Sequence, residues 1–403
     1  MKSANCFVFT LFIFSFFLLS EDWVNRRGPR EDGICNETHW NLKITKESMK
    51  VLWQKEVGNG HSAVVVYGNC LYTMGNIKNQ DIVYCFDAQT GEEKWKHSYP
   101  CKAGSFPGPR STPTTDGENV YTYSRNGDVF CLDARTGAVK WSKNIVDEWK
   151  VTNLMHGISG SPRIFGDVLL LNAGNYGFAF NKKTGEKIWN SDPEKDCGYA
   201  TPVAFPQGSL EKSLVFAGDG LSYVEVKTGK VIFFFPWKTI YALNASDPVI
   251  SDNFVLLCSY HEKGSTLIEI QEEKPKVVWD SLDLQSSFST PVIVDGHIYG
   301  FKGSAGEKSI FRCVELKTGK EKWSKSFVYA CITAVGNKLL VLDELGKLFV
   351  VKASPDGYEE ISCCPVFALT KDMRAWTVPI LCDGKLYLRN NMGNLLCIEL
   401  EKI

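Results

Sequence analysis

A short motif that recurs along the chain limits its possible folds more than any other feature. Residues 85–95 read CFDAQTGEEKW and residues 131–141 read CLDARTGAVKW, while shorter copies with Lys-Thr-Gly occupy 183–185, 227–229 and 317–319. Glycine after threonine suits a tight turn that needs positive φ. Each copy therefore predicts a strand, a turn and a second strand, with an aromatic anchor four residues after the glycine.

The anchors recur at intervals of 38 to 48 residues, degenerate copies included: Trp53, Trp95, Trp141, Trp189, Phe233, Trp279, Trp323 and Ile361. Between them lies a second repeated signal that marks the start of a strand: Thr112-Pro113, Ser161-Pro162, Thr201-Pro202, Asp247-Pro248, Thr290-Pro291 and Val378-Pro379, with Val64 and Ile332 in the two remaining places. A period of about 45 residues is typical of a propeller blade. We therefore expect an all-β fold, an eight-bladed β-propeller of four-stranded antiparallel blades.

The two ends of the repeat region complement each other. The region opens with an outer strand, 51–57, and ends in a third strand, 395–400, so the N-terminal outer strand is expected to complete the last blade. Closing the ring in this way removes an open sheet edge, which a linear solenoid would leave unpaired. The predicted organisation is a signal peptide (1–20), an N-terminal arm (21–50) and the propeller (51–403).

The first twenty residues favour export. Lys2 precedes an apolar run, Phe7 to Leu19. This run has the length of the hydrophobic region of a signal peptide and is too short to span a bilayer. An uncleaved signal anchor is the alternative. We expect a periplasmic or secreted monomer without a transmembrane segment after cleavage. The chain carries 45 basic and 46 acidic residues, which disfavours a nucleic-acid binder that neutralises phosphates.

The Asp-x-x-Thr-Gly motif with its tryptophan resembles the tryptophan-docking repeat of pyrroloquinoline-quinone (PQQ) type propellers, over residues 50–403. Near the N-terminus, Trp23, Arg27-Gly28-Pro29 and Gly33 resemble an element of secreted bacterial PQQ-like proteins, although Arg26 stands where that element usually has an aromatic residue. The resemblance implies an exported, BamB-like propeller. It does not choose a function, because the same repeat builds both quinoprotein alcohol dehydrogenases and the BamB lipoprotein of outer-membrane barrel assembly.

Ligand-binding candidates follow from the geometry of a blade. The residue three places before each inner-strand proline position should rim the central channel, and the turn between the second and third strands emerges on the same face. The candidates are His61, Arg110, Tyr199, Phe288, Tyr329, Trp376 and, from a turn, Arg389; Ser159 and Ala245 complete the ring. Aromatic faces with cations suit a flat, anionic or hydroxyl-rich ligand. The alternative is that the aromatic residues only plug the channel.

Two functions remain open at this stage. The first is a binding or scaffold module that takes an envelope protein or a small ligand on its channel-mouth face. The alternative is a PQQ-dependent (quinoprotein) alcohol or sugar dehydrogenase, for which the resemblance implies PQQ with Ca²⁺. The rim residues include no carboxylate, and no Cys-x-x-Cys-His motif is present for covalent haem. No catalytic residue or metal site is predicted, and an enzymatic role is disfavoured.

The cysteines follow the repeat. Cys85, Cys131, Cys313 and Cys397 share one position, two residues before the acidic residue of each copy. We expect them to be free thiols that pack as small apolar side chains in the third strands.

Overall fold

A computed structural model describes residues 21–403; the predicted signal segment, 1–20, lies outside the described residues. Eight four-stranded antiparallel sheets form the ring, which confirms the predicted all-β propeller. Among the described residues, no helix is long and apolar enough to cross a membrane. The small helical content consists of an α-helix, Ile145–Trp149, and a 3-10 helix, Ile240–Ala242.

The blades are numbered in chain order, each from its inner to its outer strand. Blades 1 and 2 contain Val65–Tyr67, Cys70–Ile77, Gln80–Asp87 and Glu93–Pro100, then Thr114–Thr115, Asn119–Tyr123, Asp128–Asp133 and Val139–Asn144. Blades 3 and 4 contain Arg163–Phe165, Val168–Leu171, Phe178–Asn181 and Lys187–Asn190, then Val203–Ala204, Lys212–Phe216, Gly220–Glu225 and Val231–Pro236.

The second half of the ring repeats this order. Blades 5 and 6 contain Val249–Ser251, Phe254–Ser259, Gly264–Gln271 and Lys274–Ser281, then Val292–Val294, His297–Gly303, Lys308–Glu315 and Glu321–Val328. Blades 7 and 8 contain Ala330–Val335, Lys338–Asp343, Lys347–Lys352 and Glu360–Pro365, then Ile380–Cys382, Lys385–Arg389, Asn394–Glu399 and Lys50–Glu56. Two short strands pair in parallel with blade strands: Ile34–Cys35 with the inner strand of blade 7, and Gln285–Ser286 with the second strand of blade 6.

The N-terminal strand closes the ring as predicted. Lys50–Glu56 pairs antiparallel with Asn394–Glu399 and becomes the outer strand of blade 8. Trp53 lies opposite Cys397 in this pairing, the register that Trp95 and Cys85 keep in blade 1. The first and last strands of the propeller are therefore held in one sheet, so separating the chain ends requires breaking a complete strand pairing.

Each tryptophan anchor joins its blade to the next one. The indole of Trp95 covers Gly137 of the following turn so closely that a Cβ there would lie 2.6 Å from the ring, and its Nε1–H donates to the carbonyl of Ala134 at 2.9 Å. The other five tryptophan anchors donate the same Nε1–H hydrogen bond at 2.7–3.2 Å. The acceptors are the carbonyls of Ala88, Lys182, Val226, Leu316 and Ser354. The repeated glycine is therefore required by the ring above it as well as by its positive φ.

The anchor assigned to Ile361 is wrong by one residue. Val350 of the third strand pairs with Ser362, so Ser362, not Ile361, holds the register that tryptophan holds elsewhere. The turn before it, 353–359, carries no Thr-Gly from which the position could be counted. A serine is too small to reach blade 8, and the N-terminal arm compensates. Its buried Leu42 and Ile44 pack in this core, and the Ile44 N–H donates to the Ser362 hydroxyl at 3.2 Å.

The four repeated cysteines are buried, free and opposite their anchors, as expected for packing residues. In each case the cysteine and its tryptophan anchor belong to the same buried hydrophobic cluster. These positions therefore serve blade packing.

The N-terminal arm, residues 21–49, lies across the end of the channel where the inner hairpins turn. Trp23 forms a bridge with Val66 of blade 1, and the Arg27 guanidinium donates to the carbonyls of Thr290 and Pro291 of blade 6 at 3.3 and 2.9 Å. The arm also bonds to every other blade: at Thr114, Arg163, Ala204, Asp247, Ala334 and Asp383. It closes one end of the channel and leaves the opposite end open.

Candidate functional site

The open end of the channel contains a cavity of about 330 Å³. The surface around it, which we call the mouth face, is formed by the connections between successive blades and by the turns between second and third strands. The lining comes from connections all around the ring: Arg26, His61, Ala63, Phe106, Arg110, Thr112, His156, Ser159, Tyr199, Leu243, Ala245, Tyr260, His261, Ser287, Phe288, Ser304, Ala305, Cys331, Trp376, Thr377 and Val378. We call this space the mouth cavity.

Aromatic rings form a connected wall around the cavity. Trp376 is its centre: it stacks on His61 with ring centroids 5.2 Å apart and touches Phe288 at 5.6 Å and Phe106 at 6.1 Å. Its Nε1–H is held from behind by the Glu344 carboxylate at 3.0 Å, which fixes the indole plane. Such a wall offers both faces and edges of rings to a ligand with a flat apolar body.

Two guanidinium groups reinforce one side of the cavity. Arg110 donates to the backbone carbonyls of His156, Ser105 and Phe106 at 2.5, 2.9 and 3.1 Å. Arg125 lies behind it and donates to the carbonyl oxygens of Ala103 and His156. Burial, and next the charge of Arg125, lower the pKa of Arg110 to about 10, so it stays charged at neutral pH. Neither group is paired with a carboxylate among the described residues, which leaves this side electropositive.

Two histidines on the wall are uncharged at neutral pH. Burial, and next the charges of Arg110 and Arg389, lower the pKa of His61 to about 3. The pKa of His156 is lowered in the same direction by burial and by Arg110 and Arg125. In both rings Nδ1 is buried and has no hydrogen-bond partner among the described residues. The two imidazoles therefore add no positive charge to the wall at neutral pH.

The floor of the cavity belongs to the N-terminal arm. Arg26 lies there, with Nη1 3.6 Å from Oδ1 of the buried Asp247. Beside it, the Cys331 thiol donates to the Trp376 carbonyl at 3.3 Å, and burial raises the pKa of that thiol to about 12. The floor therefore carries a cation, and no carboxylate belongs to the lining of the cavity.

The structure brings together most of the predicted site residues. His61, Arg110, Tyr199, Phe288 and Trp376 line the cavity, as do Ser159 and Ala245. Tyr329 does not, because blades 6 and 7 are joined by this residue alone. Its side chain is fully buried, and its hydroxyl accepts the N–H groups of Phe288 and Ser289 at 2.9 and 2.8 Å.

Arg389 also lies outside the cavity. It is buried between blades 8 and 1, where it donates to the carbonyl oxygens of Ser62 and Met74 and to the Thr73 hydroxyl at 2.5–2.9 Å. This position assigns Arg389 to the contact that closes the ring.

The lining residues that sequence reasoning missed include Phe106, His156 and Arg26. Phe106 and His156 lie in connections between blades whose course a repeat period does not predict. Arg26 had a signal, since it departs from the aromatic residue usual at that place, but its position under the cavity depends on the path of the arm.

The described residues do not fit the quinone–calcium centre that the resemblance implies. Calcium requires six to eight oxygen ligands. Within residues 21–403 no group of three or more His, Cys, Asp or Glu side chains is placed to hold a metal ion. The Glu344 carboxylate accepts hydrogen bonds from the Trp376 indole and from the Gly306 N–H. The Asp343 carboxylate accepts hydrogen bonds from the N–H groups of Leu345 and Lys347.

The mouth face also carries exposed apolar side chains around the cavity. They lie on the connections between blades or on a turn of this face: Phe106, Met155, Ile240, Tyr241, Leu282, Leu369 and Met392. A ligand that fits inside the cavity would leave this rim in contact with water. Exposed apolar groups concentrated around a pocket are typical of surfaces that bind larger partners.

These features define a class: an eight-bladed propeller with an aromatic cavity at one end of its channel and its own arm across the other. Residues 78–325, more than half of the chain, match the family model described as outer membrane protein assembly factor BamB. The chain therefore belongs to this family. No protein of curated function matches the sequence significantly.

Solved structures show the same fold at low sequence identity. BamB from Moraxella catarrhalis superposes with a TM-score of 0.62 at 16% identity, covering 86% of this chain and 98% of that one. Quinohemoprotein alcohol dehydrogenase from Comamonas testosteroni superposes with a TM-score of 0.69 at 13% sequence identity, covering 94% of this chain and 80% of that one. A europium-containing methanol dehydrogenase superposes with a TM-score of 0.69 at 11% identity, covering 91% of this chain and 89% of that one. A BamB protein and two dehydrogenases thus share this fold, which does not by itself decide a function.

Proposed function

We propose that this chain is an exported binding or scaffold propeller that holds a partner of the cell envelope through its mouth face, with an anionic group of that partner in the mouth cavity. The observation that carries this proposal is the cavity itself: an aromatic wall, guanidinium groups and no carboxylate in its lining. The family description and the apolar rim favour a protein over a free small molecule as the source of the anionic group.

The quinoprotein dehydrogenase is the second candidate, favoured only by the likeness in fold. The donor groups of the described residues do not fit calcium. The two functions predict different assays: a quinoprotein reduces an electron-acceptor dye when PQQ and Ca²⁺ are added, whereas a binding propeller depends on neither.

Export is part of the proposal and rests on the apolar segment Phe7 to Leu19. Cleavage near Ser20 would leave the arm complete, since the first contact of the arm with the propeller is made at Glu21, whose carbonyl lies 3.7 Å from the Cys382 thiol. A mature chain that begins there keeps every bond of the arm that the described residues, 21–403, make to the propeller.

The test uses the fluorescent sulfonate 1-anilinonaphthalene-8-sulfonate (ANS), which combines flat rings with one anionic group. ANS should bind the full chain in a single saturable site, and Trp376→Ala should weaken it about tenfold by removing the centre of the aromatic wall. Phe234→Ser is the matched control, since Phe234 is an exposed aromatic residue on the outer strand of blade 4. Equal binding by the Trp376 variant would refute the cavity as the site.

The source of the anionic group is tested in cells with a photo-crosslinking residue at Tyr241 of the rim and, as control, at Phe234. A partner protein on the mouth face gives a defined adduct from Tyr241 only. If neither position gives an adduct while ANS still binds in the cavity, the partner is a small anionic molecule and the scaffold role is refuted.

A further inference from the structure

We propose that Arg26, which the N-terminal arm places at the floor of the mouth cavity, is the side chain that binds the anionic group, so that the cavity is a complete binding site only when the arm is docked. This inference rests on the proposed function and names both the residue and the segment on which binding depends. It also assigns a binding role to a part of the chain that lies outside the eight blades.

The guanidinium groups around the cavity and in the arm differ in how many hydrogen-bond donors remain unused. Arg110 donates three hydrogen bonds to backbone carbonyls, and Arg27 donates four. Among the described residues Arg26 has one polar contact, at 3.6 Å to Asp247, which is longer than a hydrogen bond. A guanidinium carries five N–H donors. Arg26 therefore has more donors available to a ligand than Arg110 or Arg27.

The orientation of Arg26 is set from behind. Asp247 is buried, and its Oδ1 accepts the N–H of Thr201 at 2.7 Å while its own N–H donates to the Thr290 hydroxyl at 3.0 Å. The carboxylate is thus fixed between blades 4, 5 and 6, and it attracts Arg26 without consuming its donors. A cation held in place in this way loses little conformational freedom when an anion binds.

The position of Arg26 depends on the docked arm on both sides of it. On one side Val24 and Asn25 bond to Thr114 of blade 2. On the other side Arg27 is buried among the carbonyls of blade 6, and Glu31 pairs with Arg163 of blade 3. If the arm left the channel, the cavity would lose its cation and its floor together.

A thermodynamic consequence follows. A ligand that contacts Arg26 binds the docked state better than the undocked state, so it must stabilise docking by the same factor by which docking improves its affinity. Occupancy of the mouth face is therefore linked to the order of the arm on the opposite face of the ring.

The first experiment compares ANS with its uncharged counterpart N-phenyl-1-naphthylamine, which lacks the sulfonate. Arg26→Ala should weaken ANS about tenfold, the loss expected for one charge-assisted hydrogen bond, and change the affinity for the uncharged probe less than twofold. Arg30→Ala is the matched control, because Arg30 lies in the same arm, pairs with Glu21 and Asp32 and does not line the cavity. Arg26→Gln serves as a second variant if the alanine variant is unstable.

The outcomes separate this inference from the proposed function. If Trp376→Ala weakens ANS while Arg26→Ala does not, the cavity binds anions without Arg26 and the inference is wrong. Equal losses for both probes in Arg26→Ala would indicate a collapsed cavity and also overturn it. If ANS does not bind the unmodified chain, the proposed function itself fails.

The linkage has its own measurement. Trypsin should cut the arm after Arg30 more slowly when ANS is saturating, and this protection should disappear in Arg26→Ala, where the ligand no longer distinguishes the two states of the arm. Equal cleavage rates with and without ANS in the unmodified chain would refute the coupling between occupancy and docking.

Discussion

The pH dependence of stability provides a direct test of the electrostatics of the mouth cavity. Burial beside Arg110 and Arg389 lowers the pKa of His61 to about 3, against 6.5 for an unperturbed histidine. Between these values the unfolded chain binds a proton that the folded chain does not, so the contribution of His61 to stability falls as the pH falls. Linkage puts the loss between pH 8 and pH 5 at about 2 kcal/mol. The loss is complete only near pH 3.

The assay is thermal unfolding of the unmodified chain and of His61→Gln at both pH values. For a chain of this length, about 2 kcal/mol corresponds to a shift in Tm of about 2–3 °C. Between pH 8 and pH 5 the Tm of the unmodified chain should fall by about 2–3 °C more than the Tm of His61→Gln. Buried acids such as Glu31 and Asp81, whose pKa values burial raises, act in both proteins and cancel in the comparison. Identical shifts in the two proteins would refute the reasoning.

Two further predictions concern the contacts between blades. Trp141→Phe keeps a ring but loses the bond from Nε1 to the Lys182 carbonyl, and should cost about 1 kcal/mol in urea unfolding. Gly137→Ala puts a Cβ 2.6 Å from the Trp95 ring at a φ of +72°, whereas Gly296→Ala, at +71°, meets nothing within 4 Å. In both variants the strained backbone should lower the free energy of unfolding by about 1–2 kcal/mol. Only Gly137→Ala should lower it further, because only there does the new Cβ meet an indole. Equal decreases in the two variants would contradict the contact between Trp95 and Gly137.

The fold could be predicted because its determinants are local and repeated. A Thr-Gly turn and a tryptophan four residues later define a blade and its link to the next one, and both are visible in the sequence without knowledge of the other blades. Blade 7 is the exception: its turn carries no Thr-Gly, and the pairing of Val350 with Ser362 moves the anchor position from Ile361 to Ser362. A shift of that kind depends on cross-strand pairing and has no signature in spacing alone.

The candidate site could be predicted only as far as the repeat determines it. The residue three places before each inner-strand proline position lines the mouth cavity wherever a connection of ordinary length carries it up to the channel mouth. The prediction failed at Tyr329, where the connection is a single residue and the side chain turns inward. The prediction for Arg389 was wrong for a different reason. A cation on a turn of the mouth face can also point between two blades, where Arg389 donates to the backbone carbonyl of Ser62.

The arm explains why the remaining part of the site could not be predicted from repeats. A ring of eight equivalent blades leaves a channel that is open at both ends, and a channel has no closed end where an anion can be held away from water. The arm supplies that end from outside the repeat, through bonds to all eight blades, and Arg26 is the residue that it turns toward the mouth cavity. Local low polarity strengthens the attraction between a cation and an anion. Because the same segment closes the channel and places Arg26, we expect the affinity of the mouth cavity for an anion to depend on a segment that lies outside the eight blades.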